Sequence, residues 1–431
     1  MSIEKTSEAP KDVPAARNPE AAAAAVTAVD PRLLVREQGF AGYLGEFKRK
    51  MRAGDLGSLP VVVGLVAICV IFQSLNSAFL SAQNLSDITI SMVGTGMISV
   101  GIVFVLLLGE IDLSVGSVSG AASALAAVCA VNQGWPEWAA VLVAVFAGAA
   151  IGALHGFFFA VLGAPAFAVT LAGLLFWLGF MLQVLGSDGT INLNSDGFIG
   201  QLTTYFFSDV AAAYGLAAVV VVVFFVTSFL GNRRREAVGV PSRPLSETVL
   251  RTVLLAVVSF AAAYMYNQYK GLPLATVIFL AFLVLTDFVL RRTAYGRKIF
   301  ALGGSVEASR RAGINVTAVR ISVFAISGFF AAVGGLFLAS KIASANQSAG
   351  TGDLLMNAIA AAVIGGTSLF GGRGRTWNAL LGVLVIVSIQ YGLQLESIAE
   401  PVKYMITAGV LLTTVVIDSV TRKTQKTAGR A

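Results

Sequence analysis

From residue 59 onward the chain alternates long apolar runs with short polar loops. The runs lie near 59–79, 88–109, 113–131, 138–162, 166–185, 210–231, 248–266, 272–290, 319–340, 353–371, 376–395 and 401–419. A hydrocarbon core of about 30 Å takes roughly 20 residues of helix to cross, so the pattern predicts about twelve spans. They must be helices, because an open sheet edge cannot be satisfied in lipid. The fold class expected is therefore all-α, a polytopic integral membrane protein.

Residues 1–55 differ in kind. Lys5, Pro10, Lys11, Pro14, Asn18 and Pro19 precede an alanine run over 21–25 without apolar periodicity. This reads as a disordered tail, ending in a surface helix with Phe47, Lys48, Arg49, Lys50 and Arg52. The short apolar stretch and cleavage site of a signal peptide are missing from the start. The membrane-spanning body is expected over 56–420, with a second short tail over 421–431.

Composition strengthens the membrane reading. Of 431 residues, 56% are hydrophobic and 12% charged, against roughly 25% charged in soluble domains. The 45 glycines suit membrane helices, where small residues let backbones approach. Cys69 and Cys129 fall inside apolar runs and read as packing thiols. The net charge of +7 points to cytoplasmic loops enriched in Lys and Arg, and not to nucleic acid.

Loop charges set the orientation. Arg233–Arg235 and Arg243 follow the sixth run, and Arg291, Arg292, Arg297, Lys298, Arg310 and Arg311 follow the eighth. Arg373 and Arg375 follow the tenth, and Arg422, Lys423, Lys426 and Arg430 the last. All come after an even number of crossings. The opposite loops carry Glu137, Asp188, Asp196, Asp209, Asp353, Glu396 and Glu400, with scattered lysines such as Lys270 and Lys341. The bias predicts both termini in the cytoplasm.

Two glycine-rich polar breaks interrupt the runs, at 109–116 and 365–372, both on the cytoplasmic side by this count. Paired breaks of this kind point to a transport pathway. Glu110 and Asp112 lie beside the apolar core, where a carboxylate must be paired or wetted. Asp112 and Ser114 suit two roles, capping the third span or contacting a passing polar solute. Asn357, Gln390, Tyr391 and Gln394 are uncharged polar groups in late spans, for interhelical hydrogen bonds or for lining the path. His155, the sole histidine, reads as packing or pore lining, and Trp135 and Trp138 beside Pro136 as interfacial anchors. The cytoplasmic stretch 303–316 predicts a short helix starting near Ser305 and ended by Gly313, or else an ordinary basic loop. No P-loop, metal-ligand spacing or nucleophile–base pair occurs, so no catalytic or metal site is expected.

Three of these segments resemble one family. GEIDLSVGSVSG at 109–120, ALGGSVEASRRAGINV at 301–316 and AVIGGTSLFGGRGRTWNALLG at 362–382 are similar to motifs of permease subunits in ABC importers for pentoses and related sugars. The likeness covers about 58–420. Ser305 stands where the family pattern has Asn, and Ser309 where it has Ala. Ribose-type members have about ten spans, and the added pair near 248–290 looks like the xylose-type permeases. The resemblance implies a homodimer, a cytoplasmic ABC ATPase that binds ATP and magnesium, a periplasmic sugar-binding protein and a monosaccharide, most fittingly D-xylose. It also implies that this chain is not itself an enzyme and carries no cofactor. It makes 291–318 a coupling loop, with Gly304, Glu307, Ala308, Arg310, Arg311 and Gly313 facing the ATPase. Glu110, Asp112, Ser114, Asn357, Gln390 and Gln394 are the residues expected along the path. The competing expectation is a proton-coupled secondary sugar transporter, which needs a relay of intramembrane titratable groups; Glu110, Asp112, Asp287 and His155 are the candidates.

Overall fold

The computed structural model describes residues 59–237, 242 and 244–427. The expected tail over 1–55 lies outside them. Fifteen helices follow in order among the described residues. They are α1 (Leu59–Leu75), α2 (Ala82–Leu107), α3 (Val115–Ala127), α4 (Glu137–Ala160) and α5 (Ala166–Leu185). Next come α6 (Phe198–Thr204), α7 (Val210–Ala237), α8 (Leu245–Asn267), α9 (Leu274–Arg292) and α10 (Ala294–Gly304). The last are α11 (Val306–Arg311), α12 (Val316–Ile342), α13 (Leu354–Ile364), α14 (Thr376–Leu395) and α15 (Glu400–Thr427). Two tiny antiparallel ladders pin loops: β1 (Thr190–Asn192) pairs with β4 (Ser344–Asn346), and β2 (Phe206–Phe207) with β3 (Leu272–Pro273).

Nine helices among the described residues are long and apolar enough to cross a membrane. This is fewer than the twelve runs of the sequence. The run at 59–79 yields only the 17-residue α1, and the run at 353–371 only the 11-residue α13. At 1.5 Å per residue α13 is about 16 Å long, roughly half the hydrocarbon thickness. The cause is local: Gly365 to Gly372 turn the chain, with Gly366, Gly371 and Gly372 at positive φ. At the other end α15 continues through Thr427, so the tail expected from 421 begins inside a helix.

α2 and α12 form the centre. Nearly all of α2 from Met92 onward is buried, and α12 packs against α2, α3 and α4. The α4–α12 crossing is close because it is made of glycine. A Cβ on Gly328 would stand 2.1 Å from the Gly148 carbonyl oxygen, and one on Gly152 at 2.1 Å from that of Phe324. Small residues at such a crossing bring main chains into van der Waals contact, which drives helix association in lipid.

The pair expected near 248–290 corresponds to α8 and α9. α8 packs on α7, sharing a small cluster of Ala213, Ala217, Ala263, Tyr266 and Leu272. α9 joins the main core through Phe279, Leu283 and Leu290. The marginal hairpin is thus α7–α8, with Arg233–Arg235 near its tip, and the outline over 248–290 is divided between margin and core. Outward residues of α7 and α8, such as Val219, Val222, Val257 and Val258, are apolar and exposed, as a lipid-facing surface requires.

Candidate functional site: the broken-helix network and the glycine junction

α2 ends at Leu107 and Gly109 turns the chain at φ +80°. The segment that follows carries Asp112 to the start of α3, where it is 3% exposed. A buried carboxylate needs several donors, and it has them. Asp112 Oδ1 accepts from the Ser114 backbone N–H at 3.0 Å and from Ser114 Oγ at 2.6 Å. Oδ2 accepts from Ser327 Oγ on α12 at 2.9 Å.

The network continues through the only histidine. Ser114 Oγ lies 3.1 Å from His155 Nδ1 on α4, and Trp177 Nε1 on α5 donates to His155 Nε2 at 3.0 Å. Indole N–H can only donate, so Nε2 is an acceptor and the imidazole proton sits on Nδ1. One consistent assignment follows: Trp177 to His155, His155 Nδ1–H to Ser114, and Ser114 to Asp112. The chain ties α3, α4, α5 and α12 around the α2–α3 break. Of the two residues read from sequence as candidate caps, Asp112 holds the N–H of Ser114 at the helix start. Ser114 occupies the N-cap position without a side-chain capping bond.

Glu110 points elsewhere. Its carboxylate is 3.9 Å from Arg320 near the start of α12, and Arg320 covers the Phe159 ring at 4.3 Å. Burial pushes the Glu110 carboxyl above its usual range, and the Arg320 charge opposes that rise.

The other expected path residues stand apart from this network. Asn357 is buried but donates to Asp353 Oδ2 at 2.6 Å, one turn back at the start of its own helix. On α14, Gln390 is half-buried and Gln394 exposed.

On the coupling stretch, Thr293 caps α10 and Ser305 caps α11, accepting from the Ala308 N–H at 3.2 Å. Gly313 ends the turn at φ +77°, and Asn315 caps α12 at 2.9 Å. Ser309 is buried, and Tyr295 on α10 meets Ser322 on α12 at 2.7 Å. Gly304, Glu307, Ala308, Arg310, Arg311 and Gly313 are all exposed. Glu307 and Arg310 pair at 3.0 Å on that surface.

The three motif segments meet at one junction. The Gly372 N–H donates to the Leu107 carbonyl at 3.0 Å. A Cβ on Gly303 would lie 1.8 Å from the same carbonyl oxygen and 2.7 Å from the Gly372 nitrogen. A Cβ on Gly371 would lie 2.8 Å from the Gly303 carbonyl oxygen and 3.0 Å from the Gly109 nitrogen. Backbone therefore touches backbone between the α2 break, the end of α10 and the α13–α14 loop.

Comparison with known proteins gives the family. Residues 84–415 match the family described as branched-chain amino acid transport system / permease component. The chain belongs to that permease family. This permease is 34% identical over 374 residues to the xylose transport system permease protein XylH of Escherichia coli, covering 86% of this chain and 94% of that protein. It is 32% identical over 370 residues to XylH of Haemophilus influenzae, covering 85% and 98%. The ribose import permease protein RbsC of Bacillus subtilis is 29% identical over 373 residues, covering 86% and 96%. No solved structure matches the chain.

Sequence reading missed the partners of His155. Ser114 is 41 residues away and Ser327 is 215 residues from Asp112. The available signal was a polar residue inside each of several apolar runs, with nothing to say that they share one level in the bundle.

Proposed function

We propose that this permease is the membrane-spanning subunit of an ATP-driven monosaccharide importer, with D-xylose as the substrate. The observation that carries the proposal is the similarity to XylH over 86% of this chain and 94% of that protein. In this reading two copies assemble, α10–α11 docks on a cytoplasmic ABC ATPase, and a periplasmic sugar-binding protein delivers the solute. ATP and magnesium are held by the ATPase, and this chain supplies no cofactor and no catalytic group. Both termini face the cytoplasm, and membrane lipid surrounds the apolar faces.

The geometry supplies a mechanical route. The exposed helix α11 follows α10, whose last turn abuts the carbonyl of Leu107 at the end of α2. Movement of α11 during ATPase closure is therefore felt at the α2–α3 break, where Glu110, Asp112 and Ser114 lie. Asn357, Gln390 and Gln394 belong to the same path at other levels. A conformational change needs a ligand that prefers one state, and ATPase closure is that ligand here.

The test is uptake of labelled D-xylose by cells lacking this gene and by the same cells complemented with it. Complemented cells should take up xylose while ATP is present, with the proton gradient collapsed. Uptake that vanishes with the gradient while ATP is maintained would replace this reading with a proton-coupled carrier.

A further inference from the structure

At the other end of α2 from the glycine junction lies a cleft of about 270 Å³. Asp87 and Ser91 lie 16–20 residues before Leu107 on α2, so the two features are about 24–30 Å apart along the helix at 1.5 Å per residue. Opposite loop charge puts this end on the outer face. The volume is just under the about 300–1,000 Å³ of sites for drug-sized ligands, which suits a small solute.

Its walls combine acceptors, donors and rings. Asp87 and Ser91 come from the first turns of α2, Thr204 from α6, Lys341 from the last turn of α12 and Tyr391 from α14. Among the described residues no hydrogen bond or ion pair engages the Asp87 carboxylate; only its backbone carbonyl is used, by Ser91 Oγ at 2.6 Å. Lys341 Nζ donates to Ser91 and, at 3.1 Å, to Tyr391 Oη. On the far side Lys270 lies over the rings of Phe206 and Tyr269, at 5.5 and 5.3 Å.

We infer that this cleft is a binding site for a neutral, polyhydroxylated solute of monosaccharide size. A sugar hydroxyl both donates and accepts, so it needs an acceptor-only group and a donor-only group side by side. Asp87 and Lys341 are such a pair in one cleft, with the hydroxyl of Tyr391 able to play either part. The aromatic rings give the C–H face of a pyranose an apolar wall. A purely apolar guest is disfavoured by the polar lining, and because Lys270 and Lys341 stand against the single carboxylate of Asp87, an anion is the alternative that the phosphate probe tests. The cleft is thus the outer reception point for the solute; the choice of solute class rests on the importer reading above.

A cysteine reporter tests it. Cys69 and Cys129 are changed to Ser, Thr204→Cys is introduced at an exposed position, and the full-length chain is labelled in lipid nanodiscs with a polar maleimide. The probes are D-xylose, D-ribose, L-arabinose, D-glucose and inorganic phosphate. With a sugar at about ten times its dissociation constant, mass action slows labelling about tenfold. Asp87→Asn, which keeps the side-chain shape, should abolish that protection, and Lys341→Met should weaken it. Protection by any of the sugars that is lost in Asp87→Asn supports the site. Protection by phosphate alone, or by nothing, overturns it. Cellular xylose uptake is scored separately, so normal uptake without protection rejects the cleft and leaves the importer, and protection without xylose uptake does the reverse.

Discussion

Gly303 lies so close to Leu107 that a Cβ on the glycine would stand 1.8 Å from the Leu107 carbonyl oxygen. Side chains can move aside, but here the neighbour is main chain, and that main chain also accepts from Gly372. The contact joins the end of α10 to the end of α2 with no flexible element between them. In the proposed reading, a displacement of α10 is passed through this main-chain contact to the broken-helix segment.

Gly303→Ala and Gly304→Ala should behave oppositely. Forcing a methyl into the junction costs about 1–3 kcal/mol by overpacking. Nothing lies within 4 Å of a Cβ at Gly304, so alanine there should be neutral or stabilise the helix by about 0.5–1 kcal/mol. Thermal unfolding of the two purified variants in nanodiscs measures the difference. Equal stabilities would mean that the junction yields easily.

The His155 tautomer is a direct readout of the buried network. The chain has one histidine, so nitrogen-15 labelling of histidine gives a single imidazole to assign. The neutral form with its proton on Nδ1 is expected, because Trp177 donates to Nε2 at 3.0 Å. Trp177→Phe should shift the Nε2 resonance by removing that donor. A wild-type spectrum with the proton on Nε2 would contradict the assignment from Trp177 to Asp112.

Glu110 should make stability depend on pH. Burial raises its carboxyl in the folded state, with Arg320 only partly opposing. The folded chain then holds a proton that the unfolded chain releases, so this group's contribution is full below the unfolded value of about 4.3 and falls as pH rises through the raised folded value. Glu110→Gln should flatten that slope. Melting temperatures from pH 4 upward compare the two proteins, and an unchanged slope would show that the carboxylate is already charged across the range.

Much of this was legible along the chain because helix geometry is local. Apolar runs delimit α2, α4, α5, α7, α8, α9, α12 and α14, while Ser305 and Gly313 bound α11 by capping chemistry that needs no tertiary information. What was not legible is pairing across long separations. Asp112 meets Ser327 only because α12 passes the α2–α3 break, and α8 chooses α7 over α9 through small residues such as Ala217 and Ala263. The cleft also brings together α2, α6, α12 and α14, whose polar ends look like ordinary loop boundaries in sequence. The half-length of α13 was hidden for another reason. Hydropathy stays high through Ile364 and Leu369, whereas the main chain has already turned at the glycines.

The most direct test of coupling through α11 is a reconstituted complex carrying Glu307→Lys with Gly313→Val. Gly313 has φ +77° and nothing within 4 Å of where a Cβ would stand, so valine acts through backbone strain, at a cost of at least about 1 kcal/mol. Glu307→Lys reverses one charge of an exposed pair, which alters docking register more than folding. The complex is assembled in lipid with its ATPase, and hydrolysis is measured with and without xylose-loaded binding protein. Coupling through α11 predicts a variant that inserts and assembles with its second copy, but loses ATPase association or its stimulation by the loaded binding protein. Wild-type association and wild-type stimulation in the double variant would contradict it.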